Sequence, residues 1–599
     1  MDRVPERRTD MRRSSISTRP ASRRRERGVA SVIAAIWLIA VVATLAVIDI
    51  GNIFYQRRML QGVADLAASA GVQVIDDACS RAPATAAGSA GANGFTASGS
   101  NSTITTVCGR WDSKLYAGPT YFAASATPVN AVQVTLGKQV LSFFAGPGRM
   151  VTATATAQAI NVGAFSIGTT TASVDPTVIT SLLNSMLGTN INALQISAAG
   201  YAGLAQSRIE IGDLVTAAGV GTVDQLLALN LTAAQIAKLM LTALQTTRVA
   251  NANLSAAVGA LQAIVNANIP GPATVALGAV NGAAGLLQVG LANTQSALHA
   301  TISPFDALMV TAEVAQAGKS ALNVGTTLNL GVATASLKVQ VIQPPVLAVG
   351  EAGQTPAGAW RTVARSAQVR AYLAINLGVV PGSNSGLLGG TPMVSLPLSI
   401  EATPGTAWLQ STQCAATVDA TNSVVGVQPG IANVCVGDAP VNMSAAAAFV
   451  CTPATLVNLQ PLLSVVTAAA IPAVVPPGNS STLTFDGKVG NTDDYQTANS
   501  NNAGHVLSYA LSSLSATISK PGGLVIKSSV QIVNVLILPL LAPLITGTVN
   551  VVVGALTLTP LLSNLDLVLV PVLQLLGVQI GASTIHGLPP VCGQSQLQY

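Results

Sequence analysis

Few side chains in this sequence are suited to acid–base or metal chemistry. The 599 residues include three histidines, His299, His505 and His586, which lie far apart along the chain. None of them accompanies a nucleophile in a recognisable catalytic motif, and the sequence contains no glycine-rich phosphate loop. The acidic pairs Asp76-Asp77 and Asp493-Asp494 are typical of solvated turns. The sequence therefore predicts a protein that is not an enzyme and needs no cofactor.

The six cysteines have the clearest chemistry. The sequence contains no CxxC pair and little histidine, and this pattern favours disulfides over a zinc site. Reduced, buried thiols are the alternative. Many connectivities are possible, and the preferred pairs are Cys79–Cys108, Cys414–Cys435 and Cys451–Cys592. Disulfides would place this part of the chain in an oxidising compartment such as the periplasm.

The overall composition excludes two classes of protein. Half of the residues are hydrophobic and 9% are charged, so the chain is too apolar to be disordered over most of its length. Much of the apolar content is alanine and valine scattered among threonine, serine, asparagine and glycine. That distribution argues against a polytopic transporter.

The positive charge is concentrated at the N terminus. Residues 1–28 contain ten arginines and four acidic residues, whereas residues 29–599 contain 18 basic and 19 acidic residues. A basic arm can bind nucleic acid, but an apolar segment follows this one directly. We therefore expect a cytoplasmic tail that sets membrane topology, and no nucleic-acid partner.

The apolar segment is long enough to cross a membrane. Val29 to Ile48 contains no charge over twenty residues, which as a helix spans about 30 Å. A cleaved signal peptide is the alternative, but the segment exceeds the roughly 7–15 apolar residues of a signal sequence. The expectation is a retained transmembrane helix at residues 29–50, with the lipid bilayer as its partner. The arginines before it place the N terminus in the cytoplasm and the body in the periplasm.

Helical spacing continues beyond the span. Apolar residues recur with helical periodicity from Met59 to Val74, so the helix is expected to reach about Asp76 with one face available for packing. Asp49 lies at the outer end of the span. Its carboxylate is expected to reach towards the interface, and a contact within the membrane is the alternative.

The remaining chain alternates between helical and strand-like patterns. Residues 80–100 are rich in alanine, glycine and serine and predict a loop, and alternation from Thr103 to Val162 predicts strands. Thr222 and Thr232 are predicted N-caps of amphipathic helices. Residues 528–565 carry no charge; buried strands and short helices are favoured there, with a second membrane span as the alternative.

These patterns predict an α+β protein with one N-terminal transmembrane helix that continues as a long helix. A mixed, β-rich extracytoplasmic body with a helical insertion follows it. The predicted units are a basic tail at 1–28, the span at 29–50, the continued helix with a small β-rich unit at 51–165, a helical region at 176–300, and a β-rich periplasmic region with an apolar C-terminal segment at 320–599.

The N-terminal region resembles a known family. Asp49 and Gly51 form an Asp-x-Gly element at the end of the span, and Gln61 and Asp65 belong to an alanine-rich Gln-x-x-Ala-Asp-x-Ala-Ala stretch. This order resembles the TadE/TadG-like Flp (tight adherence) pilus-assembly family over about residues 27–75. A weaker likeness extends through the segments Gly109-Arg110-Trp111 and Phe143-Phe144, and later through Gly358 to Thr362 and Ala367 to Arg370. The resemblance implies a bitopic inner-membrane component of bacterial pilus or envelope assembly, and it implies no catalytic residues.

Two features distinguish this chain from related proteins of such systems. Some TadG proteins carry a von Willebrand factor A domain with an Asp-x-Ser-x-Ser metal site. The nearest segment here, Asp419 to Ser423, lies between cysteines without a long apolar strand before it, so a turn is the favoured interpretation. Pseudopilins need a glutamate five residues after a processing glycine, but Ile33 stands five residues after Gly28. Processing and polymerisation into a fibre are therefore disfavoured.

The favoured function is that of a membrane-anchored component whose periplasmic body contacts pilus-assembly or envelope proteins. A surface adhesin or minor pilus subunit is the alternative, because the body has little charge and is rich in serine, threonine, asparagine and alanine. A periplasmic hydrolase of unknown class is a third hypothesis, for which no residue stands out.

Overall fold

The computed structural model describes most of the chain from residue 27 onwards. The described residues are 27–75, 79–144, 147–168, 176–189, 196–271, 273–279, 284–291, 293–324, 328–329, 333–379, 392–415, 417–438, 443, 448–459, 463–474, 479–499, 506–528, 572–576, 578, 581–592 and 595–598. They form a long N-terminal helix followed by a β-rich body with several helices, which is the mixed α+β class expected from the sequence.

The first helix, α1, is continuous from Arg27 to Gln73. Within the described residues it is the helix that is long and apolar enough to cross a membrane, by length and composition. It ends slightly before the expected Asp76, which lies outside the described residues. The expected continuation of the span as one helix is therefore present, and its second half packs on the sheet that follows.

A short helix and a small antiparallel sheet follow α1. Residues 82–92 form helix α2 (Ala82–Ala92), so the loop expected over residues 80–100 was wrong there. Four strands come next: β1 (Ser102–Trp111), β2 (Phe122–Ala124), β3 (Ala131–Val140) and β4 (Arg149–Gln158). Together with the C-terminal strand β28 (Gln596–Gln598) they form one sheet in the order β2-β1-β3-β4-β28. The strands expected between Thr103 and Val162 are therefore present.

The next part of the chain is mainly helical. Its elements are β5 (Val162–Ile167), α3 (Pro176–Leu187), α4 (Ala198–Gln206), β6 (Ile209–Glu210), α5 (Ile211–Ala217), α6 (Val223–Leu227), β7 (Asn230–Thr232), α7 (Ala233–Thr246), α8 (Leu254–Asn266), β8 (Thr274–Ala276), β9 (Leu287–Gly290), β10 (Thr301–Ile302) and α9 (Pro304–Gln316). Thr222 caps α6 and Thr232 caps α7, the latter in a full capping box with Gln235. Both predicted N-caps are confirmed.

Strands dominate the remainder. They are β11 (Leu322–Asn323), β12 (Leu328–Asn329), β13 (Ala333–Gln343), β14 (Leu347–Gly350), β15 (Val363–Arg365), β16 (Gln368–Val379), β17 (Pro392–Ala402), β18 (Thr406–Gln413), β19 (Asn422–Gln428), β20 (Ala432–Val436), β21 (Thr455–Leu459), β22 (Leu463–Thr467), β23 (Ile471–Val474), β24 (Ser481–Asp486) and β25 (Tyr495–Asn499). The longest sheet path runs β11-β13-β16-β17-β20-β23, and β15-β18-β19-β24 form another sheet.

The C-terminal part of the chain returns to the N-terminal part. After α10 (Val506–Ile518) and β26 (Leu524–Lys527), strand β27 (Ala582–Val591) lies between β25 and β5 in an antiparallel arrangement. Strand β28 then pairs with β4. The second membrane span considered for residues 528–565 falls almost entirely outside the described residues.

Candidate membrane-proximal site

The second half of α1 packs on β3, β4 and α2 through small apolar side chains. Gly71 marks the closest approach, because a Cβ atom there would lie 3.3 Å from both the Ala82 oxygen and the Ala86 Cβ. Alanine side chains are small, so α1 and α2 can approach closely. The apolar residues that recur with helical periodicity in the sequence form this packed face. The buried residues of α1 in this packed face are Leu60, Ala64, Ala67, Ala68 and Val72.

Asp49, the acidic residue of the Asp-x-Gly element, is buried against the connection between β3 and β4. Its carboxylate oxygens accept the backbone N–H groups of Phe143, at 2.7 Å, and Phe144, at 3.2 Å. The carboxylate is therefore held by the chain itself, and whether it lies at the membrane interface, as the sequence predicts, stays a prediction. Hydrogen bonds from backbone N–H groups offset the cost of removing the charge from water.

The other motif positions have different surroundings. The Gln61 side-chain amide donates to Asp65 Oδ1 at 2.8 Å and to the Thr154 carbonyl of β4 at 3.1 Å. This pair therefore links the helix to the sheet. Gly51 has no atom within 4 Å of the position that a Cβ would occupy, so steric contact within the described chain does not require glycine there.

The opposite face of α1, just beyond the uncharged residues 29–48, is apolar and exposed. Tyr55, Met59 and Leu66 are all exposed large side chains. They line a shallow groove of about 490 Å³ with Arg58, Gly62, Val63 and Asn93. An apolar helix face with a groove beside it is a surface on which another helix can pack.

Arg110 of β1 joins the N-terminal sheet to the rest of the body. Its guanidinium is fully buried and donates to both carboxylate oxygens of Glu351, at 2.8 and 2.7 Å, and to Asp112 at 3.3 Å. Burial alone would lower the pKa of Arg110, but the hydrogen bonds and charges of the two acids outweigh it and the pKa is raised. Thr362 donates to the Glu351 carbonyl. Two segments that carried the weaker resemblance therefore meet at Glu351.

All six cysteines form disulfides. Cys79 bonds with Cys108, which is the pair that the sequence favoured. The other two preferred pairs were wrong, because Cys414 bonds with Cys592 and Cys435 bonds with Cys451. The correction follows from the topology: β27 lies beside β5 and brings the C-terminal cysteine to the end of β18, a long-range neighbour that spacing does not reveal.

One histidine belongs to a buried polar cluster. His586 Nδ1 and Ser166 Oγ both lie within hydrogen-bonding distance of Asp306 Oδ2, at 2.7 and 2.6 Å, and the Tyr495 ring stacks on the imidazole. Because the serine hydroxyl donates to the carboxylate, this arrangement is not the nucleophile–base pair that activates a serine. The cluster instead links β5, α9 and β27.

The remaining candidate residues do not form a reactive centre in the described structure. His299 is about half exposed and lies 3.6 Å from Glu210, while His505 and the Asp76-Asp77 pair fall outside the described residues. Asp419 lies in a short 3-10 turn, as the favoured interpretation expected. Among the described residues no cluster of three or more histidine, cysteine or acidic side chains could hold a metal ion.

Family comparisons match the N-terminal part of the chain. Residues 28–74 match the family described as "Putative Flp pilus-assembly TadE/G-like", and residues 70–160 match the family described as "Putative Tad-like Flp pilus-assembly". The resemblance inferred from the sequence is therefore confirmed, and these residues carry two Flp pilus-assembly domains. The matches support a pilus-assembly role, and the long apolar helix fits membrane association. No curated protein and no solved structure matches the chain.

Proposed function

We propose that this protein is an inner-membrane-anchored component of Flp-type pilus or envelope assembly. It acts through protein–protein contacts rather than catalysis. The observation that carries the proposal is that the two pilus-assembly domains cover the apolar helix and the sheet packed directly on it. The body then extends from this membrane-proximal unit.

A periplasmic location of the body is supported by charge and by cysteine chemistry. Ten arginines precede the span, and the positive-inside rule places such a tail in the cytoplasm. All six cysteines follow the span and are paired, and disulfides persist in oxidising compartments. These two arguments are independent and agree.

The exposed face of α1 is the proposed contact surface for another assembly protein. Tyr55, Met59 and Leu66 continue the apolar helix beyond the bilayer boundary, so an apolar helix that leaves the same membrane could pack along the whole length. We propose that the partner presents such a helix. Arg58 beside the groove would favour a partner with an acidic residue at this level.

Assembly assays with a surface variant test this function. The double variant Met59→Asp and Leu66→Asp should stay in the membrane and keep its disulfides, yet reduce the number of pili at least about tenfold, because two charges oppose apolar helix packing. Val418→Asp is the matched control, since Val418 is at least as exposed but lies in the body. It should leave pilus number unchanged.

Two results would contradict the proposal. Normal pili in a strain lacking the protein would exclude a role in assembly. Recovery of most of the protein in sheared surface material, rather than in the inner membrane, would instead favour the surface adhesin or minor pilus subunit.

A further inference from the structure

The connection between β3 and β4 exposes an apolar cluster. Leu141, Phe143 and Phe144 are 71%, 68% and 56% exposed, although none of them is in the membrane-spanning helix. The two phenylalanine rings lie side by side, with centroids 6.3 Å apart. Exposing adjacent aromatic side chains to water is unfavourable in free energy. An apolar environment around this cluster would therefore stabilise it.

The position of this cluster along α1 is fixed by Asp49. The backbone N–H groups of Phe143 and Phe144 donate to the Asp49 carboxylate, which is only 6% exposed. Asp49 comes directly after the twenty uncharged residues Val29 to Ile48, whose length as a helix matches the hydrocarbon core of a bilayer. The hairpin end is therefore level with the outer boundary of the hydrocarbon.

We propose that Leu141, Phe143 and Phe144 insert into the outer-leaflet interface of the inner membrane beside α1, and that Asp49 holds the hairpin at that depth. This inference rests on the proposed membrane span. Lipid is the occupant that the structure favours, because the cluster lies beside the end of the span and because leucine and phenylalanine side chains bury at the boundary between headgroups and acyl chains.

Charge near the hairpin also fits a lipid surface. Arg149 is exposed at the start of β4, paired in register with Val140 at the base of the hairpin. Lys138 lies on the neighbouring strand and donates to Gln56 of α1. Both cations lie on strands that flank the hairpin rather than at its apolar end, so their charges can stay at the headgroup level while the apolar side chains insert.

The consequence is a second membrane contact for the same chain. A single helix would let the body rotate and tilt freely, whereas a helix and an inserted hairpin together define a plane. The N-terminal sheet, and the groove beside Met59, would then face a fixed direction relative to the membrane. An assembly partner in the same membrane would meet this groove in one orientation.

Photocrosslinking of the full-length protein in its native envelope tests the proposal. The photoreactive residue p-benzoylphenylalanine replaces Phe143 in one variant, Trp37 of the span in a second, and Val418 of the body in a third; all three side chains are at least 60% exposed. We expect lipid adducts at positions 37 and 143 and none at 418. The adducts are identified by mass spectrometry.

The possible results distinguish the hairpin from the span. Lipid adducts at 37 but not at 143 would overturn the hairpin insertion and leave the anchor intact. The absence of lipid adducts at 37 would overturn the span itself. A protein adduct in place of lipid at 143 would show that the cluster docks a protein and would also overturn the insertion.

The role of Asp49 has its own test. In the variant with the photoreactive residue at position 143, Asp49→Ala should lower the lipid-adduct yield several-fold, because two charge-assisted hydrogen bonds to the hairpin are lost. Asp65→Ala is the matched control, since Asp65 accepts from Gln61 of the same helix. An equal yield in both variants would overturn the positioning role of Asp49.

Discussion

At the scale of single residues, Arg110 and Glu313 are two buried ionisable side chains in opposite surroundings. Arg110 is fully buried, but it pairs with Glu351 in bidentate geometry and makes a single contact with Asp112, so its charge is compensated. Glu313, on the buried helix α9, has no hydrogen-bond partner at Oε2, and burial raises its pKa well above the ordinary value. The first arrangement holds an ionised pair, whereas the second favours a neutral carboxyl group.

Removing the arginine should destabilise the protein strongly. Arg110→Ala leaves Glu351 as a buried carboxylate without its bidentate partner, and the expected loss in unfolding free energy is about 3–5 kcal/mol. Urea titration of the detergent-solubilised full-length protein, followed by tryptophan fluorescence, measures it. Arg149→Ala is the control at an exposed arginine and should cost under about 0.5 kcal/mol. Equal losses in the two variants would contradict the account of the buried pair.

The buried glutamate predicts a pH dependence of stability. Because the pKa of Glu313 is higher in the folded than in the unfolded state, its contribution becomes less favourable as the pH rises above the unfolded pKa. That loss continues until the pH reaches the folded pKa. Glu313→Gln should therefore be more stable than the wild type at pH 8, and this advantage should shrink towards pH 4. Thermal unfolding at both pH values tests it; an advantage that grows on acidification would contradict the assignment.

At the scale of elements, the contact between α1 and α2 depends on small residues. Ala82, Ala86 and Ala90 recur every four residues along α2, and all three are buried. The composition of this segment predicted a loop, because a mixture of alanine, glycine and serine is also typical of loops. Only the packing against Gly71 of α1 distinguishes the two interpretations.

A pair of glycine substitutions tests this close contact. Gly71→Leu should destabilise the protein by about 1–3 kcal/mol, because the new side chain enters space held by Ala82, Ala86 and Val132. Gly62→Leu is the matched control on the same helix, with no atom within 4 Å of its Cβ position, and should stabilise it by up to about 1 kcal/mol. Thermal unfolding in detergent gives both values. Similar shifts for the two variants would contradict the close packing.

At the scale of the whole molecule, the last strands of the described chain pair with strands near its N-terminal end. Strand β27 pairs with β5, strand β28 pairs with β4, and Cys592 bonds with Cys414. The last strands are therefore part of two sheets, β2-β1-β3-β4-β28 and β25-β27-β5-β14-β9. Folding of the body must bring together residues separated by more than 400 positions.

Removing two of the three disulfides should have unequal effects on stability, because they close loops of very different length. Cys414 and Cys592 close a loop of 178 residues, whereas Cys435 and Cys451 close one of 16. Chain entropy predicts losses of about 5 and about 3 kcal/mol for the paired Cys→Ser variants. Urea titration of each double variant against the wild type provides the comparison. A larger loss for the short loop would contradict the entropic interpretation.

The sequence predicts local features of this molecule better than its long-range contacts. The apolar span, the continued helix and the Thr222 and Thr232 caps follow from residues that are adjacent or a few positions apart. The hairpin that meets Asp49 is 94 residues away, and Glu351 is 241 residues from Arg110. Such partners are set by strand order, which residue spacing does not encode. The Cys414–Cys592 bond, which joins residues 178 positions apart, was missed for the same physical reason, and that error left Cys435 and Cys451 wrongly paired as well.

The membrane topology is the claim on which the function depends. Ser17 belongs to the arginine-rich tail and Val418 is an exposed residue of the body. Single substitutions Ser17→Cys and Val418→Cys allow a membrane-impermeant maleimide to report the side of the membrane on which each residue lies.

Labelling of spheroplasts and of lysed cells with this maleimide is the most direct test. We expect Val418→Cys to be labelled in intact spheroplasts and Ser17→Cys to be labelled only after lysis, both on a protein of full length. Labelling of Ser17→Cys in intact spheroplasts, or a mature chain that lacks residues 1–50, would contradict this topology.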